Sequence, residues 1–377
     1  MKILYCIASY SAKGGTEKVL SSKASYLAEN GYEVTILISD QHQKALAYQI
    51  SDKVKLVDLR ITEKLKGKIK FIGFFQNIII LRKVYQQEIK KINPDIIIVL
   101  ERGYEDFIIP YILKRIPKVR EYHFSRMASR ILESKLPTSK RYKKKLLRKV
   151  YEYHYKKYDK LVLLTKKDQQ SWLGFHNTIV IPNVVEFSED LSRERLTIRP
   201  KNIITVGSMA DDRKGFSTLI NIWSKIEQDF PEWSLNLYGD GNFRKNYEKM
   251  IQDLSLKHII LQGTSNHITE KYNESQLFVM TSNGEGLPMV IIEALSQGLP
   301  VVAYDCYCGP SDILVNNVGG VLVNFGDKDH FEEILRTLIN DESLREEKSL
   351  EAYKAAKSYA LEEIMPKWIN LFNSLKA

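Results

Sequence analysis

The segment from Ser282 to Asp305, SNGEGLPMVIIEALSQGLPVVAYD, narrows the possible folds of this chain more than any other stretch. It predicts a strand end, a glycine-rich turn, a short helix and a second strand, which is the repeating unit of a parallel α/β sheet. Glu285 lies in the turn, and Glu293 lies about a turn and a half into the helix. Both carboxylates are therefore expected to face one pocket at the carboxyl edge of the sheet, where open α/β folds bind their ligands.

The beginning of this helix suits an anion. Pro288 fits the first helical turn, because its missing N–H would have no intrahelical partner there. The backbone amides of Gly286, Leu287, Met289 and Val290 are left to act as donors beside the positive end of the helix. We expect a group such as a diphosphate to bind here.

Two similar strand–loop–helix starts indicate two domains. Residues 2–8 predict a strand that is followed by Gly14, Gly15 and a helix over about 16–30. Residues 202–206 predict a second such strand, which is followed by a polar loop and a helix with apolar residues at helical spacing. The chain is long enough for each domain to bury its own core.

We therefore predict an α/β protein with two Rossmann-like, doubly wound parallel sheets. The N-terminal domain is expected at 1–185 and the C-terminal domain at 200–363, with a polar linker over 182–200. Short apolar runs predict further strands at 34–38, 96–100, 161–164, 179–181, 235–238, 259–261, 277–280, 301–303 and 320–323.

Composition excludes several classes of protein. A hydrophobic fraction of 44% and a charged fraction of 27% are ordinary for a globular protein. The longest apolar stretch, Ile69 to Leu81, is interrupted by polar residues and predicts a buried helix rather than a membrane span. The N-terminus lacks a secretory signal pattern, so we expect a cytoplasmic protein. Cys6, Cys306 and Cys308 lack the spacing of a disulfide framework or a zinc site.

Positive charge is concentrated in the first half. Residues 1–190 contain 36 Lys and Arg against 20 Asp and Glu, whereas the remainder contains 20 against 26. The densest basic segment, Lys135 to Lys160, interleaves these cations with leucine, valine and tyrosine. It predicts either a helix that binds an anionic membrane surface or a solvated helix packed on the first domain. No nucleic-acid motif accompanies the charge. The residues expected to face the membrane are Lys143, Lys144, Lys145, Arg148 and Lys149.

The carboxylate segment resembles the E-x7-E signature of retaining glycosyltransferase family 4. The likeness lies in Glu285-Gly-Leu-Pro, Glu293-Ala, Gly298-Leu-Pro-Val-Val and Asp305-Cys-Tyr-Cys-Gly-Pro310, and it extends over nearly the whole chain. It implies a GT-B fold, with two Rossmann-like domains facing across a cleft and a last helix at about 364–377 crossing back to the first domain. It further implies transfer of a hexosyl or N-acetylhexosaminyl group without a metal or other cofactor.

The same resemblance implies the substrates. The donor would be a nucleotide-diphosphate sugar, with uridine the usual nucleotide in the family. The acceptor would be a carbohydrate or a lipid-linked glycan, as in bacterial polysaccharide synthesis, and the enzyme would be peripherally associated with the inner leaflet of the cell membrane.

The resemblance also implies roles for individual residues. Glu293 would bind the ribose hydroxyls of the nucleotide, and Glu285 would give electrostatic support near the transferred sugar. Lys214 would neutralise the diphosphate. The family has an arginine where this chain has Ser208, and Arg213 is the neighbouring candidate for that charge.

Three residues of the first half complete the expected site. The backbone at Gly14 and Gly15 would approach the donor phosphates or the acceptor, since glycine tolerates positive φ and has no Cβ. His123, directly after a candidate strand, corresponds to a family histidine that faces the donor sugar.

Several alternatives compete with this interpretation. A nucleotide-sugar epimerase or hydrolase could use the same fold, and an adaptor without catalytic activity could use the basic half. Gly239-Asp-Gly241 begins like a dinucleotide fingerprint, but Arg244 stands where the third glycine should be. Asp327-Lys-Asp329 has the Asp-x-Asp form of a metal site, although a helix N-cap explains Asp327 better.

Overall fold

A computed structural model of the chain describes residues 1–11, 14–65, 73–100, 103–134, 136–187 and 199–376, without the side chains of 73–75. These residues form two compact units. The first comprises Met1–Val184 and Leu361–Ala377, and the second comprises Val185–Ala360. Most of the expected linker, 188–198, lies outside the described residues. At its start, the Val185 amide donates to the Tyr359 carbonyl at 2.9 Å, within the second unit.

The first unit is built on a seven-stranded sheet. Its strands are β1 Lys2–Ile7, β2 Glu33–Ile38, β3 Lys55–Asp58, β4 Ile96–Val99, β5 Lys118–Tyr122, β6 Lys160–Leu163 and β7 Thr178–Val180. Their order across the sheet is β3-β2-β1-β4-β5-β6-β7, with parallel pairing throughout. All four residues of β4 are buried. Such strands are covered on both faces and so appear in the sequence as continuous apolar runs.

Seven α-helices lie among the described residues between positions 1 and 184. They are α1 Gly15–Glu29, α2 Ile61–Leu65, α3 Gly73–Ile92, α4 Glu105–Ile108, α5 Arg126–Ser134, α6 Thr138–Tyr155 and α7 Lys166–Gln170. Helix α1 ends at Glu29 with Asn30 as its C-cap, and Gly31 follows with a φ of +84°, which is a typical glycine stop.

The second unit contains a six-stranded parallel sheet. Its strands are β8 Asn202–Val206, β9 Ser234–Tyr238, β10 Ile259–Gly263, β11 Leu277–Met280, β12 Val301–Asp305 and β13 Gly320–Asn324. They follow the order β10-β9-β8-β11-β12-β13, so the chain reverses its direction of winding between β8 and β11. Ligands bind beside such a switch point, at the carboxyl ends of the strands.

The remaining helices lie between and after these strands. They are α8 Phe216–Trp223, α9 Arg244–Asp253, α10 Ile268–Asn273, α11 Met289–Ser296, α12 Pro310–Ile313, α13 Lys328–Asn340, α14 Glu342–Ala356 and α15 Leu361–Lys376. The buried apolar face of α8 is the one that the sequence predicts from Phe216, Leu219, Ile220 and Trp223. Helix α15 contacts α1 in the first unit and begins before Pro366, which lies inside it.

Two strands are harder to recognise in the sequence than the others. Strand β3 lies at the sheet edge and is mostly exposed, so it lacks an apolar pattern. Strand β5 is buried at all five positions although its sequence is Lys-Val-Arg-Glu-Tyr. Its charged residues are tolerated because they have partners inside the unit: Arg120 Nε donates to Asp106 Oδ1 at 2.7 Å, and Lys118 Nζ donates to the Ile116 carbonyl at 2.7 Å.

The apolar stretch 69–81 lies only partly within the described residues. The described part belongs to α3, where Leu81 is buried and Ile79 is exposed. Among the described residues, the helices are all too short or too polar to cross a membrane.

Candidate active site

Two loops meet at the carboxyl edge of the second sheet. The first follows β8 and forms a short 3-10 turn at Asp212–Lys214, and the second follows β11. Between them, Thr281 Oγ1 donates to the Gly215 carbonyl at 2.8 Å, and the Asn283 amide donates to the Arg213 carbonyl at 2.8 Å. Gly215 has a φ of +71°, and a Cβ there would overlap the Thr281 carbonyl oxygen. Glycine is therefore required where the two loops touch.

The contact between the loops brings two cations onto one carboxylate. Lys214 Nζ lies 2.8 Å from Glu285 Oε1, and Arg213 Nη1 lies 3.4 Å from the same oxygen. The Glu285 side chain is only 8% exposed. Burial raises the pKa of Glu285, but Lys214 and Arg213 outweigh that effect and hold it below its usual value. Glu285 is consequently ionised at neutral pH, with both cations at the surface of the site.

The second carboxylate of the motif has a different partner. Glu293 is on α11, and its Oε2 accepts a hydrogen bond of 3.2 Å from the hydroxyl of Tyr272 on α10. Burial and the nearby Glu293 raise the pKa of Tyr272 well above its usual value, so the phenol remains a donor. Tyr272 was not foreseen from the sequence. Its spacing from Glu293 follows no helical or strand period, and only the fold brings the two together.

The turn before α11 is shaped by a third loop. The helix begins at Met289, so Pro288 occupies the N-cap and not the first helical position that the sequence suggests. Its carbonyl accepts from the Ile291 amide at 3.0 Å. Gly309, with a φ of +97°, packs so closely that a Cβ there would overlap Pro288 Cδ and approach the Gly286 carbonyl. The loop after β12 therefore supports the turn that carries the expected anion-binding amides.

The expected residues of the first half lie in the first unit. His123 directly follows β5, and its side chain is 12% exposed. Its Nε2 lies 3.4 Å from Glu121 Oε2, and neither ring nitrogen makes a hydrogen bond among the described residues. Gly14 precedes α1 with a φ of −109°, a conformation open to any residue. Gly14 therefore does not use the positive φ that glycine permits, and α1 begins at Gly15. The approach of this backbone to a donor or acceptor stays a prediction.

Of the predicted site residues, the structure brings Arg213, Lys214 and Glu285 into direct contact. Glu293 lies in α11, the helix that follows the turn of Glu285, and accepts a hydrogen bond from Tyr272. His123 belongs to the other unit, as do Gly14 and Gly15.

The two competing motifs have structural explanations. Gly239 and Gly241 have φ values of +144° and +151°, and a Cβ at either would overlap the backbone of the loop after β8. These glycines thus serve close packing between loops. Asp327 caps α13 by accepting from the His330 amide at 3.1 Å, as the sequence predicts. Asp329 pairs instead with Lys225 at 3.2 Å.

The three cysteines are buried, and none of them forms a disulfide within the described part of the chain. Cys306 and Cys308 lie in the loop after β12, which is where the sequence places them. Burial raises the pKa of Cys306 to about 12, with Glu285 contributing. The thiol therefore stays protonated beside the site.

The basic segment forms α6, apart from Lys135, which lies outside the described residues. Lys143, Lys144, Lys145 and Lys149 are exposed. Arg148 is not: its Nε lies 3.1 Å from Glu133 Oε2 and its Nη1 lies 3.0 Å from Glu152 Oε1. The expectation that Arg148 faces a membrane is therefore wrong, because this side chain fastens the helix to its own unit.

The exposed side of α6 also carries apolar side chains. Tyr142, Leu146, Val150 and Tyr153 are 69%, 55%, 38% and 60% exposed. Their spacing of four, four and three residues puts them on one face of the helix. Arg148 lies on the opposite, buried face. An apolar stripe flanked by lysines is typical of helices that lie in a membrane interface.

Comparison with known proteins gives a consistent result. The profile of the Glycosyl transferases group 1 matches residues 188–357, and that of Glycosyltransferase Family 4 matches residues 13–189. The chain is 26% identical to the amylovoran biosynthesis glycosyltransferase AmsD of Erwinia amylovora, over 99% of each chain. It is 24% identical to the Campylobacter jejuni GalNAc-alpha-(1->4)-GalNAc-alpha-(1->3)-diNAcBac-PP-undecaprenol alpha-1,4-N-acetyl-D-galactosaminyltransferase, over 100% of this chain and 99% of the relative. Among solved structures, Anabaena HepE in complex with UDP and glucose superposes with a TM-score of 0.76 at 17% identity, covering 99% of this chain and 100% of that one.

Proposed function

The chain belongs to the group 1, family 4 glycosyltransferases of GT-B fold, and from this premise we propose that it transfers a sugar from a UDP-sugar. The acceptor is a glycan or a lipid-linked glycan. The anomeric configuration of the transferred sugar is retained. The Erwinia relative is named for amylovoran biosynthesis, and the Campylobacter relative is named for an acceptor on PP-undecaprenol. HepE binds UDP and glucose on the same fold. Together they support a role in the synthesis of a bacterial surface polysaccharide.

The observation that carries this proposal is the convergence of Lys214 and Arg213 on Glu285. Sugar transfer from a nucleotide diphosphate places negative charge on the leaving phosphates. A lysine ammonium has three N–H donors, so Lys214 retains donors for phosphate oxygens while one faces Glu285. Cations that are already in position need little reorganisation as the charge develops.

Glu285 then has an electrostatic role. As an ionised carboxylate it stabilises the positive charge that develops at the anomeric carbon when the bond to the phosphate breaks. Its two cations make it a weak nucleophile, which favours a front-face displacement over a covalent intermediate. The acceptor oxygen bonds to the anomeric carbon on the face that the diphosphate leaves, and the hydroxyl proton passes to a phosphate oxygen. The configuration at that carbon is thereby retained.

Glu293 and the turn before it would hold the nucleotide. The carboxylate of Glu293 has acceptor oxygens for the two ribose hydroxyls, and Tyr272 fixes its orientation. The amides of Met289 and Val290, at the start of α11, are donors for the diphosphate.

A donor panel tests this proposal. UDP, GDP, ADP and their common sugar conjugates are compared by thermal shift, since a ligand at 100 times its Kd stabilises a protein by about 2.7 kcal/mol. The conjugate that binds is then incubated with glycan and lipid-linked acceptors, and the anomeric configuration of the product is read by NMR. Stabilisation by UDP and an acceptor-dependent product of retained configuration are expected. An inverted product, sugar release that ignores the acceptor, or no UDP binding would each contradict the proposal.

We also propose that α6 attaches the enzyme to the anionic leaflet that holds lipid-linked acceptors. Its exposed lysines would meet lipid phosphates, and the stripe of Tyr142, Leu146, Val150 and Tyr153 would enter the interface. Salt screens the attraction of the lysines, so attachment should weaken at high ionic strength, whereas the apolar stripe contributes independently of salt.

Sedimentation with vesicles tests this attachment. Vesicles with and without phosphatidylglycerol are compared at low and high salt. One variant changes Lys143, Lys144, Lys145 and Lys149 to Glu and leaves Arg148 in place. A control with the same change in net charge alters four exposed lysines of the second unit, Lys245, Lys249, Lys328 and Lys354. The first variant should lose binding to anionic vesicles and the control should keep it. Equal binding by both, or no binding by the wild type at low salt, would rule the attachment out.

A further inference from the structure

A lysine and a glutamate are sealed inside the first unit. Lys23 on α1 and Glu121 on β5 are separated by 98 residues, and Lys23 Nζ lies 2.7 Å from both carboxylate oxygens. Each side chain is 1% exposed. Charged residues are almost never buried so completely, and burying an ion pair commonly contributes no more stability than a pair of well-packed apolar residues. Stability alone therefore gives no reason for charges at these two positions.

The lysine is fixed from several sides. Its Nζ lies 3.9 Å from the centroid of the Trp368 ring on α15 and 5.7 Å from the centroid of the Tyr5 ring on β1. Both rings offer their negative faces to the cation. With Lys23 held in this way, both oxygens of Glu121 are held as well. The carboxylate is thus rigid.

Glu121 in turn faces His123. Residues two apart on a strand point to the same side, and His123 follows directly on β5. Glu121 Oε2 lies 3.4 Å from His123 Nε2, and this carboxylate is the charged partner of that nitrogen. Both ring nitrogens are buried, and neither makes a hydrogen bond among the described residues, so the contact with Glu121 is one of charge and proximity. A carboxylate beside one imidazole nitrogen favours the tautomer in which that nitrogen carries the proton. The other nitrogen is then an acceptor.

We propose that Glu121, held by Lys23, is the positioning residue of His123. It fixes the ring orientation and keeps the proton on Nε2, so that Nδ1 accepts a hydrogen bond from a hydroxyl of the transferred sugar or the acceptor. This role rests on the proposed function and on the sequence expectation that His123 faces the transferred sugar. It also gives the sealed pair a purpose: the lysine keeps the carboxylate ionised, and the carboxylate orients the histidine.

Two double variants separate this role from packing. Lys23→Met with Glu121→Gln and Lys23→Met with Glu121→Met both remove the two charges and nearly conserve volume. Only the first still offers an acceptor oxygen to His123 Nε2. A role in packing alone predicts equal behaviour of the two. The positioning role predicts similar melting temperatures but a kcat/KM at least about tenfold lower in the second variant, measured with the UDP-sugar that gives turnover.

The same pair is then measured in a His123→Ala background. If Glu121 acts through His123, the difference between the two variants disappears there, because the group being positioned is gone. A difference that persists without His123 would overturn the proposal. So would equal kcat/KM values of the two variants in the presence of His123.

A spectroscopic readout needs no substrate. The ¹⁵N shifts of the His123 imidazole report which nitrogen is protonated. In the wild type the proton is expected on Nε2, and the double variant Lys23→Met, Glu121→Met is expected to show a mixture of tautomers. A wild-type spectrum with the proton on Nδ1 overturns the proposal even if a variant fails to fold. Failure of the proposed function gives a different result. In that case no donor supports sugar transfer, but the ¹⁵N shifts of the His123 imidazole still change when Glu121 is replaced.

Discussion

Each unit of this protein pairs a lysine with a glutamate at almost the same distance, yet the two pairs have opposite surroundings. Lys23 and Glu121 in the first unit are 2.7 Å apart, and both are 1% exposed. Lys214 and Glu285 in the second unit are 2.8 Å apart, with the lysine 13% exposed. A third side chain, Arg213, is 29% exposed and lies 3.4 Å from the same Glu285 oxygen. The first pair is closed to solvent, whereas both cations of the second are partly exposed, which is what the proposed contact with a phosphate requires.

The electrostatics of the two glutamates show the same contrast. Burial alone would raise the pKa of each, and in each the cations reverse this effect. Lys23, with His123, lowers the pKa of Glu121 to about 2. Glu285 needs two cations of which neither is fully buried. The charges of Lys23 and Glu121, the sealed pair, therefore interact only with groups inside the first unit. The cations beside Glu285, which with Lys214 forms the open pair, are partly exposed to solvent.

The sealed pair should give the largest loss of stability. Removing the lysine in Lys23→Ala leaves the Glu121 charge buried without its partner, which typically costs about 3–5 kcal/mol. Peptide-resolved hydrogen exchange should show faster exchange in β5, α1 and α15 of the full chain, with little change in the second unit. Lys214→Ala is the matched control and should have a smaller effect on exchange. If exchange around Lys23 is unchanged, the pair is not the constraint that its burial implies.

The open pair should give the largest loss of activity. One cation lost from a developing anion costs about 2.7–4 kcal/mol of transition-state stabilisation, so Lys214→Ala should lower turnover by at least about tenfold while the protein stays folded. Glu293→Ala should act similarly through the ribose. Steady-state kinetics with the accepted donor, beside a melting curve, measure both variants. Normal kcat/KM in both would remove Lys214 and Glu293 from the site.

The sequence predicts the open pair better than the sealed one, for a physical reason. Glu285 stands in a glycine-rich turn before a helix, a local pattern with a local cause, and Lys214 stands in the corresponding loop after β8. Lys23 looks like an ordinary polar position of an amphipathic helix. Its partner is 98 residues away, and the ring beside it belongs to the last helix. No window of sequence contains that arrangement.

Helix α6 contains features that local sequence predicts and a feature that depends on another helix. Its exposed lysines and apolar stripe follow from helical spacing, which a sequence displays. The burial of Arg148 depends on Glu133 in the preceding helix. A signal was nevertheless present, because Glu152 and Tyr155 lie four and seven residues beyond Arg148 and so share its face. The run of lysines around Arg148 concealed it.

Acid should remove the stability that the ionised Glu121 contributes. A glutamate whose pKa is about 2 when folded and about 4.3 when unfolded contributes stability above pH 4.3 that is lost as the pH falls toward 2. The double variant Lys23→Met, Glu121→Gln lacks this contribution. Its hydrogen exchange in the first unit should differ from wild type less at pH 3 than at pH 5. A difference that does not depend on pH would assign the effect of the variant to packing.

The smallest effects should come from a pair that is open to solvent altogether. Asp329 faces Lys225 at 3.2 Å but is 91% exposed, so Asp329→Ala should leave stability and activity unchanged within error. Asp327→Ala, two residues earlier, removes the cap of α13 and should cost about 1 kcal/mol, visible as faster exchange at the start of that helix. Activity of both variants should persist in excess chelator. Loss of transfer in Asp329→Ala, or rescue of chelated wild type by Mn²⁺, would instead identify these aspartates as metal ligands and displace the cations of the open pair from their proposed role.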